Sequence, residues 1–234
     1  MTTETVTITA TDGTGTFSAY VSRPQSQPTA AVVVIQEIFG VNAVMRGICD
    51  DMAAKGYITI CPDLFWRQEP NIDITDKTEA EWARAFQLYQ GFDVDRGVDD
   101  LKATLDFIRK DAQCTGRAGT MGFCLGGKLA FLMAARSDAD CNVSYYGVGL
   151  DELMGEAGNI KKPVLLHIAE QDKFVPHAAQ LKIIDVMSQN PTASLHIYHG
   201  NDHAFARVGG DHYDAEAAAL AHSRTDEFLA KNLG

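Results

Sequence analysis

The residues best placed to do chemistry lie in the stretch "GTMGFCLGGK" (119–128), where Cys124 stands between Gly122 and Gly126. Two kinds of site share this pattern. From Gly122 it reads G-x-x-x-x-G-K, most of a phosphate-binding loop; it also reads G-x-C-x-G, a nucleophile elbow with cysteine in place of the usual serine. A phosphate loop needs Ser or Thr after its lysine to hold magnesium, and the residue after Lys128 is Leu129. A nucleophile elbow accounts for more. Its sharp strand-to-helix turn exposes the central side chain, and flanking glycines relieve the crowding. The cysteine then sits at a helix N-terminus, where the positive end of the dipole favours a thiolate. The Leu125 N–H can donate to an oxyanion, and a second donor is expected from a loop after an earlier strand, with the Ile38 N–H of "QEIFG" as candidate.

The other partners follow in the chain order this arrangement uses: nucleophile, acid, histidine. Asp172 lies in "AEQDKFVP" and His203 in "GNDHAF". His203 would take or hold the thiol proton, and Asp172 would fix its tautomer and orientation. Glu170, two residues earlier, competes with Asp172 for that role. His199 and His203 are four residues apart and invite a zinc reading. Gly200 lies between them in a loop, however, and HExxH is absent, so no metal is expected. His167, His177, His196, His212 and His222 receive no role. Cys49, Cys61, Cys114 and Cys141 read as small buried hydrophobes.

The elements that must position these residues alternate. "TVTITA" (5–10) and "TFSAYVS" (16–22) flank "TDGTG" as an N-terminal hairpin. "AAVVVIQ" (30–36) is a continuous apolar run, as in a strand buried on both faces. Further strands are expected at 57–62, 117–122, 142–147, 163–169 and 194–199. Helices are expected at 45–56, 78–90, 94–111, 126–137, 177–189 and 214–231. This predicts an α/β fold: one domain over 1–234, a mainly parallel sheet with helices on both faces, and an antiparallel N-terminal hairpin. In such sheets ligands bind beyond the carboxyl ends of the strands. Glu37, Cys124, Asp172 and His203 each follow a different strand. The segment Leu64 to Ile74 breaks the pattern and is expected near the site mouth.

Composition narrows the classes. The chain has 234 residues and a net charge of −11, which argues against nucleic acid or an anionic membrane surface as partner. The N-terminus has neither a basic start nor an apolar run, so no signal peptide is expected, and no stretch reaches the length of a membrane span. Five cysteines without a CxxC spacing suggest neither a disulfide framework nor a zinc site, and point to a reducing, cytoplasmic setting.

With these residues in place the chain resembles the dienelactone hydrolase (carboxymethylenebutenolidase) family. The likeness runs through "QEIFGVN" (36–42), "PDLFWR" (62–67), "GFCLGG" (122–127), "AEQDKFVP" (169–176) and "HAFAR" (203–207). It implies an α/β-hydrolase fold, a monomer, no cofactor or metal, and a Cys124–His203–Asp172 triad, favouring Asp172 over Glu170. It implies that Glu37 approaches the resting thiol and shifts when substrate binds. It implies a small-molecule, anionic lactone as substrate, opened through a thiolate and an acyl-enzyme thioester; a broader carboxylesterase or thioesterase is the alternative. The family carries two arginines for the substrate carboxylate. Arg207 matches one. Trp82 stands where the other would be, with Arg84 two residues further along the helix.

Overall fold

The computed structural model describes residues 1–25 and 29–234, and the chain divides into two compact units, Met1–Gly119 and Thr120–Gly234. In the first, β1 (Thr2–Thr9) and β2 (Thr16–Arg23) form the expected antiparallel hairpin. β2 also pairs antiparallel with β4 (Ile58–Pro62), which pairs parallel with β3 (Thr29–Ile35). Val32 to Ile35 of β3 are wholly buried. Each such side chain contributes about 1.5–3 kcal/mol by leaving water, which explains the continuous β-branched run.

The helices of this unit are set by their caps. The Asn42 side chain accepts the Met45 N–H (3.1 Å) and starts α1 (Ala43–Ala54) two residues before the apolar pattern suggested. Gly56, at φ 102°, turns the chain away after it. Thr78 and Glu81 form a reciprocal cap on α2 (Glu79–Gln90), and Asp93 caps α3 (Val94–Arg109). Neighbouring strand residues point to opposite faces. Tyr20 and Thr59 donate to Asp50 and to the Cys49 carbonyl of α1, at 2.9 and 3.0 Å. Phe17 instead stacks on Trp66, whose Nε1–H donates to Asp100 of α3 at 2.8 Å. The sheet is therefore covered on both faces.

The segment between β4 and α2 packs on the turn that follows β3. Leu64 N–H donates to the Gln36 side chain (3.0 Å), Ile74 N–H donates to the Phe39 carbonyl (3.2 Å), and Gly40 bridges to Asp73. A Cβ on Gly40 would lie 1.9 Å from the Ile72 carbonyl oxygen, so only glycine fits. That contact fixes the backbone of the Gln36–Gly40 turn.

β5 (Cys114–Phe123) begins in the first unit and ends in the second. It starts three residues before the expected 117, because its exposed beginning carries no apolar pattern to reveal it. Cys114 is half-buried rather than buried. Its last residues pair parallel with β6 (Asn142–Tyr145), β6 with β7 (Val164–Ala169), and β7 with β8 (Ala193–Tyr198). β6 ends two residues early because Tyr146 turns to φ 38°. A 3₁₀ helix, Leu150–Asn159, was not expected. The remaining helices are α4 (Leu125–Arg136), α5 (His177–Met187) and α6 (Ala215–Leu233). Tyr145 and His167 meet Thr225 of α6 at 2.7 and 2.9 Å. Their neighbours Ser144, Leu166 and Ile168 line a small cavity with Leu150 and Ile183 on the other side. Among the described residues no helix is long and apolar enough to cross a membrane.

Candidate active site

Cys124 caps α4 with φ 56° and ψ −114°, a backbone conformation that a residue with a β-carbon adopts at a cost of about 1–3 kcal/mol. Packing enforces it. The Cys124 N–H donates to the Tyr145 carbonyl of β6 (3.1 Å), and its own carbonyl accepts the N–H groups of Lys128 (3.1 Å) and Val148 (3.4 Å). A Cβ on Gly127 would come within 2.6 Å of the Tyr145 carbonyl oxygen, so the glycine lets α4 press against the end of β6. The result is the strand–turn–helix context expected of a nucleophile elbow, with a partly exposed cysteine at its apex. Leu125 follows as the first residue of α4, where N–H groups lack intrahelical acceptors.

Asp172 and His203 come together from the loops after β7 and β8. His203 Nδ1 lies 2.7 Å from Asp172 Oδ2, and both residues are buried. The other Asp172 oxygen accepts the N–H groups of Phe174 (2.8 Å) and Val175 (3.2 Å), which hold the carboxylate in place. With Nδ1–H donating to Asp172, Nε2 is left for the Cys124 sulfur, with which the imidazole also hydrogen-bonds. Burial opposes a charged His203. The electrostatic influence of the Cys124 sulfur and the hydrogen bonds to Asp172 and Cys124 outweigh it, and its pKa is pushed up to about 10. A Cys–His–Asp unit of this kind can attack a carbonyl and then return a proton to a leaving group.

Sequence reasoning missed the walls of this site. The imidazole is flanked by two rings, Tyr146 at 5.0 Å and Phe174 at 4.9 Å, each near edge-on. Phe174 is half exposed and follows Asp172 by two residues, which was the one available signal. Behind Tyr146, His167 bonds the Tyr198 hydroxyl (2.7 Å) and the Thr225 hydroxyl (2.9 Å), while Tyr145 reaches the same Thr225. Burial, with His196 and Arg224 nearby, holds His167 well below the ordinary imidazole range, so it is a neutral structural group. The zinc reading of His199 and His203 finds no support in their contacts, since each imidazole turns to its own carboxylate, Glu170 and Asp172 respectively.

The remaining candidates divide. Arg207 is buried, not a solvated loop charge, and lies one turn beyond His203, with its N–H donating to the Ala204 carbonyl at 2.9 Å. In the first unit, Glu37 and Ile38 are buried in the turn after β3, and the Glu37 carbonyl accepts from the Gln36 side chain at 3.2 Å. Trp82 packs edge-on against Phe39 (5.1 Å) and stacks on Phe86 (5.6 Å), with its Nε1–H donating to the Asp76 carbonyl. Arg84 takes another direction. Its guanidinium is engaged by Glu69 and by Gln87 at the surface.

Comparison with known proteins shows the family. The chain is 41% identical over 230 residues to a carboxymethylenebutenolidase of Pseudomonas putida, covering 98% of this chain and 97% of the relative. A chain of Azospirillum brasilense, provisionally given the same enzyme name, is 53% identical over 222 residues, covering 94% and 95%. Among solved structures, one from Klebsiella pneumoniae, provisionally identified as a dienelactone hydrolase, superposes with a TM-score of 0.83 at 25% identity, covering 98% and 99%. A dienelactone hydrolase-like promiscuous phosphotriesterase from metagenomic libraries superposes equally well at 22% identity and supports the fold alone. The model of the dienelactone hydrolase family matches residues 17–233, the span that carries the elbow, the acid loop and the histidine loop, and the chain belongs to that family.

Proposed function

We propose that the protein hydrolyses an enol-lactone of the carboxymethylenebutenolide type to maleylacetate, with Cys124 as nucleophile. The observation that carries this reading is the buried 2.7 Å contact between His203 Nδ1 and Asp172 Oδ2, which aims the other imidazole nitrogen at the elbow cysteine. The Cys124 thiolate attacks the lactone carbonyl, and the Leu125 N–H with the Ile38 N–H would receive the developing oxyanion. The ring carbon–oxygen bond breaks, leaving a thioester on Cys124 and an enolate. The enolate takes a proton from the imidazolium. Water, deprotonated by His203, then hydrolyses the thioester and restores the thiol. An enolate is a good leaving group, so a thiolate suffices where an ordinary ester would favour an alkoxide.

Glu37 is proposed to hold the thiol protonated until substrate arrives; its burial and its place in the turn after β3 support this. An exposed, permanently ionised cysteine would oxidise readily. Arg207 is proposed to read the substrate carboxylate through charge-assisted hydrogen bonds. No cofactor takes part, and the enzyme would act as a cytoplasmic monomer built as one α/β-hydrolase domain.

The test is a spectrophotometric assay with both dienelactone isomers and p-nitrophenyl acetate, run on the parent and Cys124→Ala. Lactone turnover that disappears in Cys124→Ala supports the proposal. Hydrolysis of p-nitrophenyl acetate with no turnover of either lactone would instead favour a broader carboxylesterase or thioesterase using the same triad.

A further inference from the structure

Glu170 competes for the acid role in sequence, yet the structure gives it a different one. Its Oε1 lies 2.8 Å from His199 Nδ1, and its Oε2 accepts the Gly200 N–H at 2.9 Å. Both partners belong to the loop that carries His203, while Glu170 belongs to the loop that carries Asp172. We propose that Glu170 is a positioning residue that sets the Asp172–His203 contact by clamping these two loops together. The inference rests on the reading of Cys124, His203 and Asp172 as the catalytic unit.

The loops need a clamp because their strands stop short of the site. β7 and β8 are parallel neighbours whose paired register ends at Ala169 and Tyr198. Beyond that point the backbone makes two more links, Glu170 N–H to the Tyr198 carbonyl (3.1 Å) and Gln171 N–H to the Asn201 carbonyl (2.8 Å). Gly200, at φ 75°, then turns the chain sharply, so the histidine loop leaves the sheet direction three residues before His203. The Glu170 carboxylate grips this turn at its backbone. On the far side of Asp172, Lys173 pairs with Asp202 at 3.1 Å, and Asp202 accepts the His203 N–H at 2.7 Å. Asp172 and His203 thus lie between two side-chain ties, one of which Glu170 supplies.

Magnitudes separate the two bonds that Glu170 makes. The His199 side chain is 78% exposed, and a surface ion pair of that kind contributes little. The bond to Gly200 is a charge-assisted bond to backbone and fixes the path of the chain itself. Glu170 therefore acts through Gly200, and His199 is dispensable. The groups that could titrate around the clamp are His199, Lys173, Asp202 and His212, the last lying 3.8 Å from Asp202.

The experiment compares Glu170→Ala, Glu170→Gln and His199→Ala in the intact protein. It reads kcat and KM for p-nitrophenyl acetate, and the pH profile of Cys124 alkylation by iodoacetamide. Small misplacements within a catalytic site are costly, so Glu170→Ala should lower kcat by roughly tenfold or more with little change in KM. Its alkylation midpoint should move to higher pH, because a loosened Asp172 supports the imidazolium less. Glu170→Gln retains an acceptor for the Gly200 N–H and should restore most of both properties. His199→Ala should stay within about twofold of the parent, as expected for an exposed ion pair. A Glu170→Ala protein with the parent's kcat and alkylation profile overturns the inference, as does one that melts lower with both unchanged. Failure of the triad itself is seen separately, as turnover retained in Cys124→Ala.

Discussion

A Cβ placed on Gly122 would lie 2.0 Å from the Gly126 carbonyl oxygen and 2.3 Å from its carbonyl carbon. The strand entering the elbow and the helix leaving it therefore touch backbone to backbone, four residues apart, with Cys124 at the fold between them. Both atoms in the way belong to the main chain and cannot swing aside. Gly122→Ala should open the turn, relax Cys124 from φ 56°, and abolish activity even in protein that remains folded. Circular dichroism on the purified variant, beside esterase turnover, checks this; full turnover would mean that the elbow tolerates the side chain.

The triad should behave as one unit. Asp172 reaches Cys124 only through His203, so removing any member disables the same proton transfer. Single substitutions Cys124→Ala and His203→Ala should each cost about as much as the double variant, because losses within a triad are grossly non-additive. Asp172→Asn keeps the shape and removes the acceptor character that fixes the imidazole tautomer, and should lower kcat by about 10⁴-fold if the unit behaves as the serine triads do. Losses that multiply in the double variant would mean that the residues act independently.

Much of this site was legible in sequence because its members lie in short motifs at strand ends. Cys124, Asp172 and His203 each follow a run of apolar residues, and that order alone brings them to the carboxyl ends of parallel strands. What could not be read depends on contacts between residues far apart in the chain. The Glu170 clamp requires knowing that Gly200 turns toward it. Tyr146 and Phe174 flank His203 only because a left-handed residue follows β6 and the Asp172 loop folds back. Arg84 and Trp82 are two positions apart on one helix, and only the structure shows that Glu69 draws the arginine to the surface while Phe39 holds the indole. The 3₁₀ helix at Leu150–Asn159 escaped because its glycines erase the apolar periodicity on which such readings rely.

Stability should report the His203 proton as well. His203 is raised above the ordinary histidine value of 6.5, to about 10. A raised pKa means that the folded state holds the proton more tightly. The stabilisation is fully present below pH 6.5 and is lost as pH rises toward 10. Cys124→Ala removes the sulfur, the largest influence raising this pKa, and leaves burial opposing it. Thermal melts between pH 6.5 and 10 should therefore fall more steeply for the parent than for Cys124→Ala. Parallel curves would show that the Cys124 sulfur does not raise the His203 pKa.

Glu37 should reveal itself in the resting thiol. If its carboxylate restrains Cys124, Glu37→Gln removes a negative charge that disfavours the thiolate. Iodoacetamide should then alkylate the resting protein faster near neutral pH, while lactone turnover falls because the substrate-driven switch is gone. Alkylation and turnover that both match the parent would leave Glu37 a buried structural residue.

Substrate charge is the last property open to test. A dienelactone carries a carboxylate remote from the bond that breaks, and an arginine fork suits it well. Arg207 is buried and shares a short segment with His203, so one loop can present both. The resemblance to the family puts Trp82 where a second arginine would be, and an indole brings no charge; here it is held by Phe39, Phe86 and the Asp76 carbonyl. Anionic lactones should thus be preferred over neutral esters, but by less than two arginines would give. Arg207→Ala should lose about 1.5–3 kcal/mol with an anionic lactone, the range for a hydrogen bond to a charged group, and leave p-nitrophenyl acetate nearly unaffected. Trp82→Arg should shift preference further toward anions. Kinetic constants for both substrates on the parent and both variants decide the matter. Equal losses on neutral and anionic substrates in Arg207→Ala would mean that the guanidinium supports its loop and does not read the carboxylate.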